Sequence, residues 1–240
     1  MTARMTELRR TLALVAAAAM TCAGAGCGGD DPDYAPAIDP AAFSSTVDNP
    51  FFPLRQGMSW EYRSQTEDGT ETTTVAVTDR TRVVMGVVCV EVRDTVRLNG
   101  EVIEDTFDWY AQHRDGTVWY FGENTKEYEH GKVVSIEGSW AAGVDGAQPG
   151  VVMPAQPRVG DSYRQEYYRG EAEDMGEVLS VTEQVRVPTG SYDGVVQTRD
   201  TTALEPEVLE HKYYARGVGP VLTVDVAGGG TRDELVRFTS

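Results

Sequence analysis

The sequence has few of the residues from which cross-links and metal sites are built. It contains three cysteines and three histidines in 240 residues, and two of the cysteines lie within the first 27 positions. Cys89 alone remains in the body of the chain, so no intramolecular disulfide is expected there. The common zinc spacings, Cys-x-x-Cys and His-x-x-x-His, do not occur. We therefore predict no metal site, no cofactor, a buried unreactive thiol at Cys89, and solvated side chains at His113, His130 and His211.

Catalytic motifs are equally scarce. The nearest approach to the Gly-x-Ser-x-Gly motif of serine hydrolases places Ser191 one position too early and among turn residues. Carboxylates could form a general acid–base pair, in which burial must raise the pKa of one carboxyl. Two clusters qualify, one on a strand and one on a predicted loop: Glu104, Asp105 and Asp108, and Glu171, Glu173 and Asp174. Asp105 stands out because it falls on the apolar face of its strand, beside Phe107.

The first 26 residues form a unit of their own. A basic start is followed by an apolar run and then by small residues, which is the pattern of a signal peptide. The basic residues are Arg4, Arg9 and Arg10, and the run extends from Thr11 to Met20. This run is about half of the ~20 residues that a membrane-spanning helix needs. We therefore predict a cleaved signal peptide over residues 1–26.

Small residues precede Cys27 at the predicted cleavage point. The segment Gly24-Ala25-Gly26-Cys27 resembles the lipobox of bacterial lipoproteins, in which the Cys is lipidated and becomes the first residue of the mature protein. It departs from that pattern at Gly24, where lipoproteins usually have Leu or another aliphatic residue. The resemblance implies lipidation at Cys27, export, and anchoring to the outer face of the bacterial cell membrane. A plain secretory signal is the alternative.

Residues 27–49 are predicted to be a flexible tether, because they are rich in Gly, Ala, Asp and Pro and offer little to bury. The formal charge of the chain is −17, and the signal peptide contributes three Arg and one Glu, so the mature chain carries about −19. Such an excess of negative charge repels nucleic acid, which we therefore exclude as a partner.

From Met58 onward the sequence predicts short strands joined by tight turns, without a helical repeat. The turn signals are the dipeptides Asp68-Gly69, Asn99-Gly100, Asp115-Gly116, His130-Gly131 and Asp193-Gly194. Apolar residues alternate with polar ones before Asn99-Gly100, at Val88, Val90, Val92, Val96 and Leu98. After this turn, one face carries Ile103, Phe107 and Trp109, and the other carries Glu104, Thr106 and Asp108. These patterns predict an all-β antiparallel fold.

Five landmarks of the first half recur in the second half at a spacing near one hundred residues. They are Gly57-Met58-Ser59-Trp60 with Gly160-Asp161-Ser162-Tyr163, Val77-Thr78-Asp79 with Val181-Thr182-Glu183, Arg93-Asp94-Thr95 with Arg199-Asp200-Thr201, Trp109-Tyr110-Ala111 with Tyr213-Tyr214-Ala215, and Gly116-Thr117-Val118 with Gly219-Pro220-Val221. We infer a single β domain over residues 50–240, made of two tandem copies of a β-meander (about 51–125 and 153–240) that form a sandwich or a curved half-barrel sheet. The repeated Arg-Asp pairs are predicted to have a structural role.

The segment from Gly138 to Gln156 has no counterpart in this repeat and is predicted to be a long connection. It contains Trp140, which a sheet core would not require there. Trp140 is therefore the candidate contact for a ligand or partner. The alternative is that its side chain is tucked back onto the sheet.

Three segments resemble a group of uncharacterised secreted or lipid-anchored β-proteins of bacteria. They are Asn49-Pro50-Phe51-Phe52-Pro53-Leu54 leading to Gly57 and Trp60, Asp108-Trp109-Tyr110-Ala111, and Tyr213-Tyr214-Ala215 leading to Gly219. The resemblance covers most of the mature chain. It implies a location and a fold class, and it implies no activity.

These observations favour a cell-envelope lipoprotein that acts as a non-catalytic binding or structural module. Its expected partners are the membrane, through the lipid anchor, and a small apolar ligand, a glycan or a protein. A carboxylate-dependent hydrolase acting on envelope polymers is the alternative, and the missing catalytic motif weighs against it.

We predict that Cys27→Ser abolishes lipidation, because Cys27 has small residues before it and a tether after it. Metabolic labelling with a fatty acid measures this directly, and Cys22→Ser serves as the control that keeps the label. Incorporation at the wild-type level in Cys27→Ser would contradict the assignment.

Overall fold

The structure is a computed structural model that describes residues 34–227 and 230–240. The predicted signal peptide and Cys27 lie outside the described residues, so lipidation stays a prediction. Within the described ranges, no helical segment has the length and apolar character needed to span a bilayer.

One short 3-10 helix, Pro40–Ala42, precedes a succession of strands in the described residues. The strands are β1 (Phe43–Ser44), β2 (Ser59–Thr66), β3 (Gly69–Val84), β4 (Val87–Leu98), β5 (Glu101–His113), β6 (Val118–Asn124), β7 (Glu127–Glu129), β8 (Lys132–Ser135), β9 (Trp140–Ala141), β10 (Gln148–Met153), β11 (Ser162–Arg164), β12 (Glu166–Tyr167), β13 (Asp174–Val187), β14 (Gly190–Thr202), β15 (Leu209–Ala215), β16 (Gly219–Asp225) and β17 (Arg232–Thr239).

The long strands form one antiparallel sheet that nearly closes into a barrel. The last strand, β17, pairs with β2, placing Leu235 opposite Tyr62. The seam lies between β10 and β13, where the short strands β11 and β12 intervene: β12 pairs with β10, and β11 pairs with β13. The predicted all-β antiparallel class is confirmed. The sheet wraps around a single interior and does not split into the two layers of a sandwich.

Two meanders follow each other around this sheet, as the repeat predicts. The first copy comprises β2 to β6 with β10, and the second comprises β11 with β13 to β17. The register of β4 on β5 recurs in β14 on β15, which makes the following residues equivalent: Val90 and Val196, Asp94 and Asp200, Asp108 and Lys212, and Tyr110 and Tyr214.

The turn that begins each copy is also repeated. The Gly57 amide donates to the Val77 carbonyl (3.3 Å), and the Gly160 amide donates to the Val178 carbonyl (2.9 Å). Both glycines have a positive φ, +87° and +90°, which L side chains rarely adopt. Val77 is therefore equivalent to Val178, and its predicted match with Val181 is wrong. Bulges in β3 after Val77 and in β13 after Val178 explain the error, because they shift the register that a constant spacing assumes.

The turn at Asn99-Gly100 joins β4 and β5 as predicted, with φ values of +51° and +90°. The predicted turn at Asp193-Gly194 is wrong. These two residues lie inside β14, where the register shifts and Gly194 has a φ of +64°. A glycine with positive φ also serves a β-bulge, so the dipeptide alone does not distinguish a bulge from a hairpin turn.

The ordered domain begins before residue 50, which corrects the predicted tether boundary. Phe43 lies opposite His113 in the pairing of β1 with β5. Val47 and Asn49 are buried, and the Asn49 amide donates to the carbonyls of Gly116 (2.9 Å) and Pro154 (3.1 Å). The composition of residues 27–49 gives no signal for these specific contacts.

The predicted connection over 138–156 also contains sheet structure, since β10 is a barrel strand and β9 pairs with β6 at a bulge. At this bulge, Gly122 has a φ of +125°, and a Cβ there would lie 2.4 Å from the Trp140 carbonyl oxygen. The glycine therefore allows β9 to approach β6. Beyond the bulge, Glu123 lies opposite Asp108, and before it Tyr120 lies opposite Tyr110. Both side chains consequently face the same side of the sheet.

We predict that Gly122→Ala lowers the free energy of unfolding more than Gly100→Ala does. Both positions have a positive φ, which costs a non-glycine residue ~1–3 kcal/mol, but a Cβ at Gly100 meets no atom within 4 Å. The clash at Gly122 should add ~1–3 kcal/mol. Urea unfolding of the two variants measures the difference, and equal losses would contradict this account of the bulge.

Candidate functional site

Acidic side chains of β4 and β5 point into the barrel. Asp94 lies opposite Thr106, and Val92 lies opposite Asp108. Directly opposed residues share a face of the sheet, and Val92 is 2% exposed within the main core cluster. The apolar face of β4 and the acidic face of β5 therefore lie on the same side of the sheet and point into the barrel.

The apolar face of β5 consequently points outward, and arginines cover it. The Arg82 guanidinium lies 3.8 Å from the centre of the Trp109 ring, and those of Arg80 and Arg93 lie 5.1 and 5.5 Å from the Phe107 ring. Such cation–π contacts and the aliphatic stems of arginine shield aromatic surface from water.

Asp105 lies on this outer face, on the same side of β5 as Phe107, as predicted. It is buried there, at 9% exposure, and it does not line the barrel interior. Arg93 binds it with two nitrogens, Nε to Oδ1 at 2.7 Å and a terminal nitrogen to Oδ2 at 3.1 Å. Thr95 donates to it as well. The ion pair supports the predicted structural role of Arg93, and Arg199 pairs similarly with Glu177. The neighbouring Asp94 faces inward, away from Arg93.

Asp108, Tyr120 and Glu123 form a buried triad inside the first copy. The Tyr120 hydroxyl lies 2.7 Å from Asp108 Oδ1 and 3.1 Å from Glu123 Oε2. Burial raises the pKa of Asp108 to about 7, although the Tyr120 hydrogen bond opposes the shift. Burial, reinforced by the charge of Asp108, raises the pKa of Glu123 well above its ordinary value. Protonated Glu123 can donate to the Tyr120 oxygen while Tyr120 donates to Asp108.

Asp94 is also buried in this interior and is 5% exposed. Its Oδ1 is buried without a hydrogen-bond partner. Burial raises its pKa well above the ordinary value, and the charges of Asp108, Glu104 and Asp233 add to the shift. A carboxyl in this position either keeps its proton or requires a cation.

Trp140 and Glu166 extend the cluster toward the seam. Trp140 is 5% exposed, and its ring meets the edge of Tyr120 at 5.4 Å between centroids. Its indole nitrogen faces the Glu166 carboxyl closely enough to lower the pKa of that carboxyl, but without hydrogen-bond geometry. Burial has the larger effect and raises the pKa of Glu166 well above its ordinary value. Trp140 is therefore tucked against the sheet, which favours the alternative stated for it, and its contact with a ligand or partner stays a prediction.

The second copy contains a cation at the equivalent level. Lys212 Nζ lies 3.0 Å from Asp200 Oδ2 and 3.6 Å from Glu210 Oε2. Asp200 also accepts from Gln165 at 3.0 Å and from Thr198 at 2.6 Å. Burial alone would lower the pKa of Lys212, but the charges of Asp200 and Glu210 outweigh it and raise the pKa well above its ordinary value.

Carboxyls of both copies thus line part of one interior. The inward residues change from Val90 and Val92 to Asp94 along β4, and from Val196 to Asp200 along β14. Water reaches this level, since the Lys212 side chain is 17% exposed. The carboxyls concerned are Asp94, Asp108, Glu123, Glu166, Asp200, Glu210 and Asp233.

Asp174, from the cluster predicted on a loop, adjoins these residues: burial raises its pKa to about 6, and the charge of Lys212 opposes the shift. Cys89 and Glu173 lie elsewhere. Cys89 is fully buried in a second core cluster, as predicted, and burial raises the pKa of its thiol to about 12. Glu173 accepts a hydrogen bond from the Gly170 amide on the surface. Across residues 34–227 and 230–240, no three His, Cys, Asp or Glu side chains are arranged to hold a metal ion.

A cleft opens farther along β14 and is not lined by the acidic cluster. Its walls include Phe51, Pro157, Val181, Asp193 and Arg216. The Arg216 guanidinium lies 4.6 Å from the centre of the Phe51 ring. The buried polar atoms that lack partners lie away from these residues. The acidic interior is therefore the stronger candidate site.

Comparison with known proteins gives one structural likeness. No protein-family model matches the chain, and no curated protein matches it. The crystal structure of a "putative lipoprotein" from Parabacteroides distasonis ATCC 8503 covers 79% of this chain and 98% of its own, with 13% sequence identity and a TM-score of 0.42. At these values the likeness carries no conclusion about function, and the resemblance to secreted or lipid-anchored β-proteins stays a prediction.

We predict that the protein becomes less stable as the pH rises from about 5 to about 9. Burial raises the pKa of Asp108 to about 7 and that of Asp233 to about 8. Between the ordinary and the raised pKa values, the folded state binds more protons than the unfolded state. The free energy of unfolding therefore falls as the pH rises through this interval. Urea unfolding across the range measures it.

Asp108→Asn and Asp233→Asn should each flatten this pH dependence, whereas Glu137→Gln on the exposed surface should leave it unchanged. A free energy of unfolding that rises over the same range would show that these carboxyls are ionised in the folded protein.

Proposed function

We propose that the protein is an exported, lipid-anchored binding protein of the cell envelope that holds a small, positively charged ligand inside its barrel. The signal peptide and Cys27 support the location. One observation carries the binding function: carboxyl oxygens of Asp94, Glu123 and Glu166 are buried without hydrogen-bond partners.

Unpaired buried carboxyls destabilise a fold, because each loses its hydration without a compensating bond. Apolar residues of similar volume would stabilise the barrel better, so retaining several acids suggests that they have a role as ligands. A cation supplies the missing partner. The acidic lining thus favours a charged ligand over the small apolar one expected from the sequence.

The same geometry weighs against the hydrolase alternative. Asp108 and Glu123 are the closest approach to an acid–base pair, but the Tyr120 hydroxyl bridges them. A glycosidase places the scissile bond between its two carboxyls. Here the phenol occupies that position, so we propose no catalysis.

We predict that 1,4-diaminobutane raises the melting temperature of the full lipidated protein in detergent at neutral pH. A ligand at a hundred times its Kd adds ~2.7 kcal/mol, which corresponds to roughly 5–10 °C for a domain of this size. Butane-1,4-diol and succinate match the diamine in length and should give no shift.

The double variant Asp94→Asn, Glu123→Gln should lose the response to the diamine, and Glu137→Gln should keep it. Stabilisation by the diol or by succinate, or an undiminished response in the double variant, would refute binding to the acidic interior.

A further inference from the structure

The two copies differ at three equivalent interior positions: Val92 corresponds to Thr198, Thr106 to Glu210, and Asp108 to Lys212. Asp94 and Asp200 match in the pairing of each copy, and each has a diagonal neighbour on the next strand. That neighbour is Lys212 in the second copy and Asp108 in the first. The duplication has therefore kept the central carboxyl and exchanged its cation for a second acid.

We propose that the first copy binds a primary ammonium group beside Asp94 and Asp108, at the position that the Lys212 ammonium occupies in the second copy. This inference rests on the proposed function and names its ligand class. The ligand would be an amine whose charged end enters the barrel.

The second copy shows the arrangement with its cation in place. Lys212 approaches Asp200 within 3.0 Å, and the other Asp200 oxygen accepts from Thr198. Both oxygens of the central carboxyl are therefore satisfied. An ammonium has three donors and a compact charge, which suits neighbouring carboxylates.

The first copy has the same central carboxyl, Asp94, but it has Asp108 in place of Lys212 and Val92 in place of the hydrogen-bond donor Thr198. Asp94 Oδ1 is buried and lacks a partner, and so is Glu123 Oε1. Both residues are less than a tenth exposed. Among the neighbouring charges, that of Asp108 raises the pKa of Asp94 most, after burial, and it is negative. A bound ammonium would neutralise this repulsion as Lys212 does in the second copy.

An organic ammonium fits better than a metal ion. A hard divalent cation requires several oxygens converging on one point, and no such group occurs in the described residues. An ammonium needs two or three acceptors, which Asp94 and Asp108 provide.

The test uses isothermal titration calorimetry with n-butylammonium, which reproduces a lysine side chain, on the full protein in detergent. Wild type should bind one equivalent. Asp108→Lys supplies the cation internally and should bind none, while raising the melting temperature. Lys212→Ala vacates the second position and should bind two equivalents. Asp94→Asn, a smaller change in case Asp108→Lys fails to fold, should also abolish binding to the first copy.

The contrary results separate the two proposals. Binding of tetramethylammonium or Ca²⁺ but not butylammonium would overturn the ammonium inference and leave the proposed function standing. If no cation binds the wild type, both fall. Equal binding of butylammonium to wild type and a folded Asp108→Lys variant would show that the site is placed wrongly.

Discussion

The pairing of β17 with β2 joins the two copies into one sheet, and the character of the interior depends on it. Leu235 and Tyr62 face each other across this junction and are both almost fully buried. In an open sheet, the inward carboxyls would remain in water at little cost. Near closure dehydrates them, and dehydration decides which carboxyls keep a proton and which need a cation.

Each copy of the repeat contributes buried carboxyls to this interior, and each carboxyl needs a proton or a cation. The second copy solves it with Lys212, whose ammonium contacts Asp200 and Glu210. In the first copy, the Tyr120 hydroxyl links the carboxyls of Asp108 and Glu123. Glu123 Oε1 still lacks a hydrogen-bond partner. A packed domain gains no stability from such an arrangement. In a binding site, a bound cation would offset the free-energy cost of burying these carboxyls.

Local patterns in the sequence predict the strands well, since alternation and turn chemistry act over a few residues. The Val90–Val96 alternation and the Asn99-Gly100 turn are examples. Which face of each strand points into the barrel could not be predicted in this way. The apolar side of β5, with Phe107 and Trp109, faces away from the barrel interior. Trp109 belongs there to a second core cluster, and arginines from β3 and β4 cover the two rings.

The candidate site depends on contacts that are distant in sequence, and this limited its prediction. The sequence does suggest the cluster that contains Asp108, but it favours Asp105, which is buried on the outer face beside Phe107 and not in the interior. The bulge at Gly122, which turns Glu123 inward, leaves no periodic signal. The repeat matches Asp94 with Asp200. The same alignment matches Asp108 with Lys212, and this exchange of charge is the sequence signal that indicates the site.

The central claim is that the first copy holds buried carboxyls that lack a cation. Carbon-13 NMR of the Asp108 carboxyl against pH tests it most directly, with Asp108→Asn assigning the resonance. We expect titration near a pKa of about 7 in the free protein and a fall of this pKa when butylammonium is added. A carboxyl that titrates in the ordinary range around 4, and does so with or without the amine, would contradict the account.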